Sequence, residues 1–541
     1  MGELSLSSRT TSFVGSSRKQ SDPLTFNLIL VVFVVSFGTW FSLGYNVVAL
    51  NSTQTVIVDW IRMVGCGRLE SSTPQNHSSP SQNHSSPSQL DLWCHPINAF
   101  HFTGQDLIEL LGANTELNSL WAVTATCLSI GKLFSAVTSR PIIKRFGLKT
   151  SILLNTVIVA VGTVISCLAQ LLDSYEMLIT GRIIVGFVVG SSCVLTPMFV
   201  AEVSPVTRRG ALGTLPVVMF ALGTITATVL GLPSILGNSW GWPILLGLHL
   251  IPVGLMGMVL PFCPETPRQL LLKTNKRTTD WARNALIWLR NSPNVEEELQ
   301  NMLQVMEQET EHRQISLLGI FRDPFLRSSL WLASVPFMAM QLSGFSCLSF
   351  YSTAIFSDSG LTRVEAIYAT LGVWIVCLIM TIVSGGLVDR VGRRLLLLSS
   401  HVGVVLSLSF LVLTRALTEQ LNYAWTKYGS VAAIFGFIVS HGASLMSVPW
   451  ILGAELIQQE ARVAAMTFFC VVVWLCELAG ALLFPIVIPL AREYTFTLFI
   501  GFTLFTGSFI GWRMPETKGK TVQEIQQFLR ARKAPFQFSQ F

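Results

Sequence analysis

Long apolar runs separate short polar stretches along most of this chain. Residues 24–58 contain no Asp, Glu, Lys or Arg, and neither do residues 210–264. The second run has 55 residues, room for two membrane crossings of about 20 residues each. Backbone inside lipid must satisfy its own hydrogen bonds, so runs of this length predict helices. The pattern predicts twelve spans, at 25–47, 118–139, 150–170, 175–199, 211–233, 240–262, 328–354, 365–387, 395–415, 430–452, 463–489 and 493–513. The expected class is an all-α polytopic membrane protein.

The polar stretches carry the orientation. The amino-terminal tail 1–24 holds Arg9, Arg18 and Lys19. The connection after span 2 holds Arg140, Lys144, Arg145 and Lys149 with no acid, and that after span 4 holds Arg208 and Arg209. Asp173 and Glu176 mark the opposite side, after span 3. Basic loops stay in the cytosol, so both termini are expected there, in the plasma membrane. The first apolar run follows a Ser-rich tail and is too long for a signal-peptide core, so no cleaved leader is expected.

The connection 48–117 is expected outside. It contains QNHSSPS twice, over 75–88, a Pro- and Ser-rich pattern expected to be unstructured. Each copy carries an N-x-S sequon, at Asn76 and Asn83, where the topology permits glycosylation. Asn51 also opens a sequon but sits too near the membrane. Cys66 and Cys94 flank the repeat and are candidates for one disulfide. The other eight cysteines are scattered through the spans without metal-ligand spacing and read as small apolar residues.

Composition narrows the function class. Hydrophobic residues make up 51% and charged residues 12%, against roughly 25% charged in soluble domains. Mean hydropathy is +0.56. The net charge of +6 comes from 36 basic and 30 acidic residues, which leaves no basic footprint for nucleic acid. There is no Walker loop, metal-ligand cluster or nucleophile elbow, so neither an enzyme, a cofactor, a metal site nor direct ATP drive is expected.

The chain also repeats itself. Arg145-Phe146-Gly147 is echoed by Arg390-Val391-Gly392, 245 residues on. Glu202 with Arg209 is echoed by Glu455 with Arg462, 253 on, and Pro264-Glu265-Thr266 by Pro515-Glu516-Thr517, 251 on. This predicts two six-span halves, 25–263 and 328–513. A polar cytosolic linker with short helices, 264–327, joins them, and a tail, 514–541, follows. It is the major facilitator plan, with the solute held near the midplane between the halves.

Ordered motifs make the resemblance specific. Span 1 reads LGYNVVALNSTQ, and span 4 with its loop reads GRIIVGFVVGSSCVLTPMFVAEVSPVTRRGALGTL. PETPR closes span 6, QLSGFSCLSFYS lies in span 7 and VDRVGRR closes span 8. VPWILGAEL lies in span 10 and PETKGKT in the tail. From about 36 to 525 the chain resembles the sugar porter family, and within it the facilitative hexose transporters of animals.

The resemblance implies alternating access without a cofactor, by a chain sufficient as a monomer, with a small solute and the bilayer as its partners. It places a cytosolic charge network at Arg145, Glu202, Arg209, Arg390, Arg393, Arg394, Glu455 and Arg462. These groups pair across neighbouring helices, form clusters between the halves and break as the carrier turns inward. Exposed ion pairs contribute about 0–1 kcal/mol each, weak enough to open thermally. In proton-coupled sugar porters the residue matching Arg182 faces a span-1 carboxylate. Here that position is Asn46, which implies facilitated diffusion.

The solute cavity departs from the family. Gln341 is kept, with Tyr351, Trp450 and Trp474. The amides expected beside it are replaced by Met340, Ser346, Val217, Cys377, Val473 and Glu477, and a glucose-associated QLS tripeptide reads Phe337-Met338-Ala339. A buried hydroxyl left unpaired costs about 1–3 kcal/mol, and a millimolar affinity is only about 4 kcal/mol. The solute therefore differs from glucose, or other groups compensate.

Glu477 is the only acid in 463–490. A carboxylate within a span marks function more often than packing, so it is a candidate for a polar or cationic solute group or a proton. A locally paired structural Glu is the plainer alternative, and His441 reads as a packed neutral side chain. Three readings stay open. The first is a facilitative carrier of a hexose or polyol. The second is a carrier of an organic acid or amine, or a proton-linked one using Glu477. The third is a non-transporting nutrient sensor, which the short tail and intact gate motifs disfavour.

Overall fold

The computed structural model describes residues 24–72, 115–205, 208, 212–272, 276–311, 315–421, 425–520 and 522–533. Among the described residues every regular element is helical. Ten helices are long and apolar enough to cross a membrane. Two shorter apolar helices stand at the fifth and twelfth predicted positions: Leu215–Leu230, with 16 residues, and Thr497–Arg513, with 17. At 1.5 Å per residue each falls about 5 Å short of a 30 Å hydrocarbon core.

Span 1 runs through Phe26–Ser36 and Ser42–Ser52, joined by a π-helical turn at Phe37–Phe41. Helix then resumes outside the predicted span, over Gln54–Ser72. The first third of the expected outer loop is therefore ordered. Its buried positions Ile57, Trp60, Ile61 and Val64 follow one helix face. Trp60 packs on Trp242 with ring centres 5.1 Å apart. The QNHSSPS repeat, Asn76, Asn83 and Cys94 lie outside the described residues. Cys66 is disulfide-bonded, and the eight other described cysteines are free.

Spans 2 and 4, Thr115–Phe146 and Tyr175–Val203, touch backbone to backbone. A side chain at Gly186 would meet Leu128 O at 2.1 Å, and one at Gly190 would meet Lys132 Cα at 2.6 Å. Small residues four apart let membrane helices approach this closely. Span 4 thereby fixes the position and the rotation of span 2.

Span 7 was expected as one continuous helix and is broken. Pro324–Leu342 ends at Ser343, Gly344 takes φ +103°, and Phe345–Asp358 begins a new segment. Span 10 is broken too, between Thr426–Ser444 and Val448–Glu455. Each break frees carbonyls that need donors. His441 Nε2 supplies one by donating to Met340 O at 2.9 Å. Its ring stacks on Phe345, with centres 4.6 Å apart. His441 is thus a packed side chain that also bridges two broken spans.

The polar linker forms four helices, Pro267–Leu271, Lys276–Arg290, Glu296–Glu311 and Leu317–Arg322. Arg290 holds them against the spans. It grips Glu298 through Nε at 3.0 Å and Nη2 at 2.7 Å, and its Nη1 donates to Val203 O at 2.9 Å. Thr25 Oγ1 and Asn27 Nδ2 donate to Leu289 O and Trp288 O, at 2.5 and 2.9 Å.

Candidate functional site

The break in span 7 creates the first polar corner. Ser346 starts the second segment one turn from Gln341, and its hydroxyl donates to Gln341 Oε1 at 3.1 Å. Both side chains are buried. On the same segment Tyr351 donates its hydroxyl to Ala481 O at 3.2 Å, which ties it to span 11, Gln459–Ala491. Trp450 sits edge-on to Phe337, with ring centres 5.0 Å apart.

Glu477 lies one turn before Ala481. Its Oε1 accepts from Lys132 Nζ at 2.5 Å and from Ser129 Oγ at 2.6 Å. The Lys132 ammonium also lies 4.7 Å from the centre of the Trp474 ring, a cation–π contact. All four residues of this group are nearly inaccessible: Ser129 is 0% exposed, Lys132 2%, Glu477 6% and Trp474 8%. The isolated acid of span 11 thus has a counter-ion on span 2.

Sequence reasoning missed Lys132. Its signal was as plain as that of Glu477, for Lys132 is the only charged residue in 118–139. An ionisable side chain in a span carries the same implication whichever its sign.

Asn46 and Arg182 come together, but not side chain to side chain. Arg182 Nη2 donates to the Asn46 backbone oxygen at 3.1 Å, while Asn46 Nδ2 turns back to Ser42 O at 2.9 Å. Among the described residues no carboxylate pairs with Arg182. Asn46 makes no hydrogen bond to Gln341, Ser346 or Glu477.

Toward the end of the spans opposite the linker, the two sets of spans meet again. Asn51 Nδ2 donates to Ser352 Oγ at 2.6 Å and to Ser349 O at 3.3 Å, and Asn51 Oδ1 accepts from Thr353 N at 3.2 Å. Asn51 is buried, so its sequon is occupied by the fold. Phe220 of span 5 packs edge-on to Trp374 of span 8, Arg363–Val391, with centres 6.4 Å apart.

At the linker end of the spans the charges divide by function. Glu265 Oε1 accepts from Lys149 N at 3.2 Å, beside the start of span 3, Leu148–Leu168. Glu516 does the same for span 9, Arg393–Leu421, taking Arg393 N at 3.0 Å and Arg394 N at 3.1 Å. The two Pro-Glu-Thr echoes therefore cap equivalent helix starts, where a negative charge meets free N–H groups. Burial pushes the Glu516 carboxyl up. The N–H groups of Lys518, Arg393, Arg394 and Thr517 outweigh that and hold it below the usual carboxylate value.

The expected pairings of the motif acids differ in detail. Glu455 meets Arg393 at 3.5 Å rather than Arg462. Glu455 Oε2 and Arg462 Nε are each buried without a hydrogen-bond partner. Glu202 Oε2 accepts from Thr266 Oγ1 at 2.6 Å. The Arg390 backbone oxygen accepts from Lys518 Nζ at 2.7 Å. Arg394 also donates to Gly511 O. Arg145 lies over the Phe146 ring, 5.6 Å from its centre. Arg209 is outside the described residues. Glu202 meets the start of the linker just after span 6 and Glu455 meets the start of span 9, so neither contact joins the first six spans to the last six.

Comparison with known proteins bears on this arrangement. A family model described as "Sugar (and other) transporter" matches residues 31–529. The solute carrier family 2, facilitated glucose transporter member 3 of Rattus norvegicus is 31% identical over 502 residues, covering 93% of this chain and 92% of its own. Member 1 of Gallus gallus is 33% identical over 409 residues, covering 76% and 82%. Among solved structures, a partially occluded inward-open conformation of the xylose transporter XylE from E. coli superposes with a TM-score of 0.69. It is 17% identical and covers 92% of this chain and 100% of its own. That likeness carries the major facilitator fold.

Proposed function

Since the chain belongs to the sugar (and other) transporter family, we propose that it is a facilitative carrier of a hexose or polyol. It works by alternating access of two six-span halves in the plasma membrane, with both termini cytosolic. One observation carries the uniport reading. Arg182, buried in span 4, meets a backbone carbonyl of Asn46 and not a titratable acid. A carrier without that acid lacks a proton relay there. The solute site draws on Gln341 and Ser346 at the break of span 7, with Tyr351, Trp450, Trp474, Glu477 and Asn46 around it. Asn76 and Asn83 are proposed as outer glycosylation sites, and Cys94 as the partner of Cys66. One copy of the chain suffices for transport.

The thinning of amide side chains favours a second reading within the same family, a solute other than glucose. Purified chain in liposomes, given a panel of labelled hexoses, pentoses and polyols, decides between them. The expected result is saturable uptake of at least one sugar or polyol, unchanged by an imposed pH gradient. Uptake that requires an inward proton gradient would sink the uniport reading. Uptake of amines or organic acids alone would sink the sugar reading. No uptake of any solute by a folded chain would favour a sensor.

A further inference from the structure

Lys132 is a buried charge within a span that the uniport reading leaves unused. It comes from span 2, while its partner Glu477 comes from span 11, 345 positions later. Solute sites of carriers built on this plan lie near the midplane, between the two sets of spans. Lys132 and Glu477 stand at about the middle of their helices and meet across that interface. One turn further along span 11, a side chain at Gly480 would lie 3.3 Å from Ser346. The ion pair therefore borders the Gln341–Ser346 corner.

Energy argues against a purely structural role. Taking two charges out of water costs several kcal/mol per ion, and an apolar pair of similar volume is often no less stable. Spans 2 and 11 need neither charge to pack.

Chemistry indicates what the charges are for. A sugar or polyol hydroxyl needs both a donor and an acceptor. An amide supplies both from one side chain, whereas an ammonium only donates and a carboxylate only accepts. Lys132 and Glu477 together restore the pair of functions that a lost amide would have supplied. Both Lys132 and Ser129 use Oε1 of Glu477. Among the described residues nothing donates to Oε2. Mutual neutralisation also matters. A lone Glu477 would attract amines and a lone Lys132 would attract organic acids, whereas the pair favours an uncharged solute.

Resting on the sugar or polyol reading above, we propose that Lys132 is a specificity-determining residue for the solute. With Glu477 it binds two neighbouring hydroxyls, Lys132 donating to one oxygen and Glu477 accepting from the next O–H.

The test uses full-length chain in liposomes and the panel solute that the wild type carries best, together with its deoxy analogues. Lys132→Met and Glu477→Leu are each expected to raise KM at least tenfold, with kcat changed less than about threefold. Each is also expected to lose the wild type's discrimination against the analogue lacking one of the two hydroxyls. The double variant Lys132→Met/Glu477→Leu leaves no unpaired charge and no amide in their place, so it keeps the test usable should either single variant misfold. It is expected to show the same loss of discrimination. Wild-type KM and discrimination in the double variant would overturn the proposal while leaving the carrier reading intact. A wild type that carries none of the panel would overturn both.

Discussion

Gly190 and Lys132 touch backbone to backbone: a Cβ at Gly190 would lie 2.6 Å from Lys132 Cα and 2.9 Å from its carbonyl oxygen. The Ser135 hydroxyl also stands in the way and can turn aside, but the backbone of Lys132 cannot. Gly190→Ala is expected to push span 2 off span 4 at a cost of about 1–3 kcal/mol, and to displace the ammonium from Glu477. A lower melting temperature in detergent, together with reduced uptake, is the expected outcome. Gly254→Ala, whose Cβ would meet nothing within 4 Å, serves as the control.

Gly344 sets the break of span 7 through backbone conformation alone. A Cβ there meets only Phe499, at ordinary distances of 3.5 Å and beyond, but φ is +103°. The left-handed region costs a side-chain-bearing residue about 1–2 kcal/mol. Gly344→Ala is expected to straighten the break, part Ser346 from Gln341 and lower uptake about tenfold. Normal uptake with normal thermal stability would show that the break is not needed.

Asn51 fastens the end opposite the linker with three hydrogen bonds to the second segment of span 7. Each such bond contributes about 1 kcal/mol, and about 1.4 kcal/mol shifts a population tenfold. Asn51→Ala is expected to open that end more often; with the proposed orientation, this is the outer one. Labelling of a Ser349→Cys reporter by a membrane-impermeant maleimide from outside should rise about tenfold. Unchanged labelling would place the seal elsewhere.

Glu516 gives a pH dependence with a definite sign. Its folded carboxyl lies below the ordinary carboxylate value of 4.5. Its contribution is therefore complete above about pH 4.5 and fades as pH falls through the folded value. Glu516→Gln is expected to lower the melting temperature by on the order of 2 °C at pH 7. The difference from wild type should close below pH 4.5, and a constant gap would contradict the capping role.

The spans were legible because lipid leaves the backbone few choices, and a run without charges announces a helix whatever its neighbours. The duplication was legible for a related reason: Glu265 and Glu516 cap equivalent helix starts, and that duty keeps both the residues and their spacing. Partners were harder. The Glu-to-Arg spacing of Glu455 and Arg462 points to a pair, yet Arg393 of span 9 takes the carboxylate. Spacing along a chain says nothing about which third helix arrives beside it. The break at Gly344 was missed because QLSGFSCLSFYS keeps its apolar pattern across the turn. Lys132 was missed for a different reason, since its isolation in span 2 was visible and only its sign drew less attention than an acid.

The linker's fastenings have a mechanical consequence. At one end, Arg290 with the Thr25 and Asn27 bonds ties Lys276–Arg290 to the amino-terminal spans. At the other, Ile315 N donates to Glu460 O at 3.0 Å and ties the chain to span 11. Any rocking of one set of spans against the other is therefore absorbed between Glu298 and Ile315. That stretch acts as a tether whose slack bounds the stroke, so shortening it should limit the amplitude of the transport cycle before it affects either bundle.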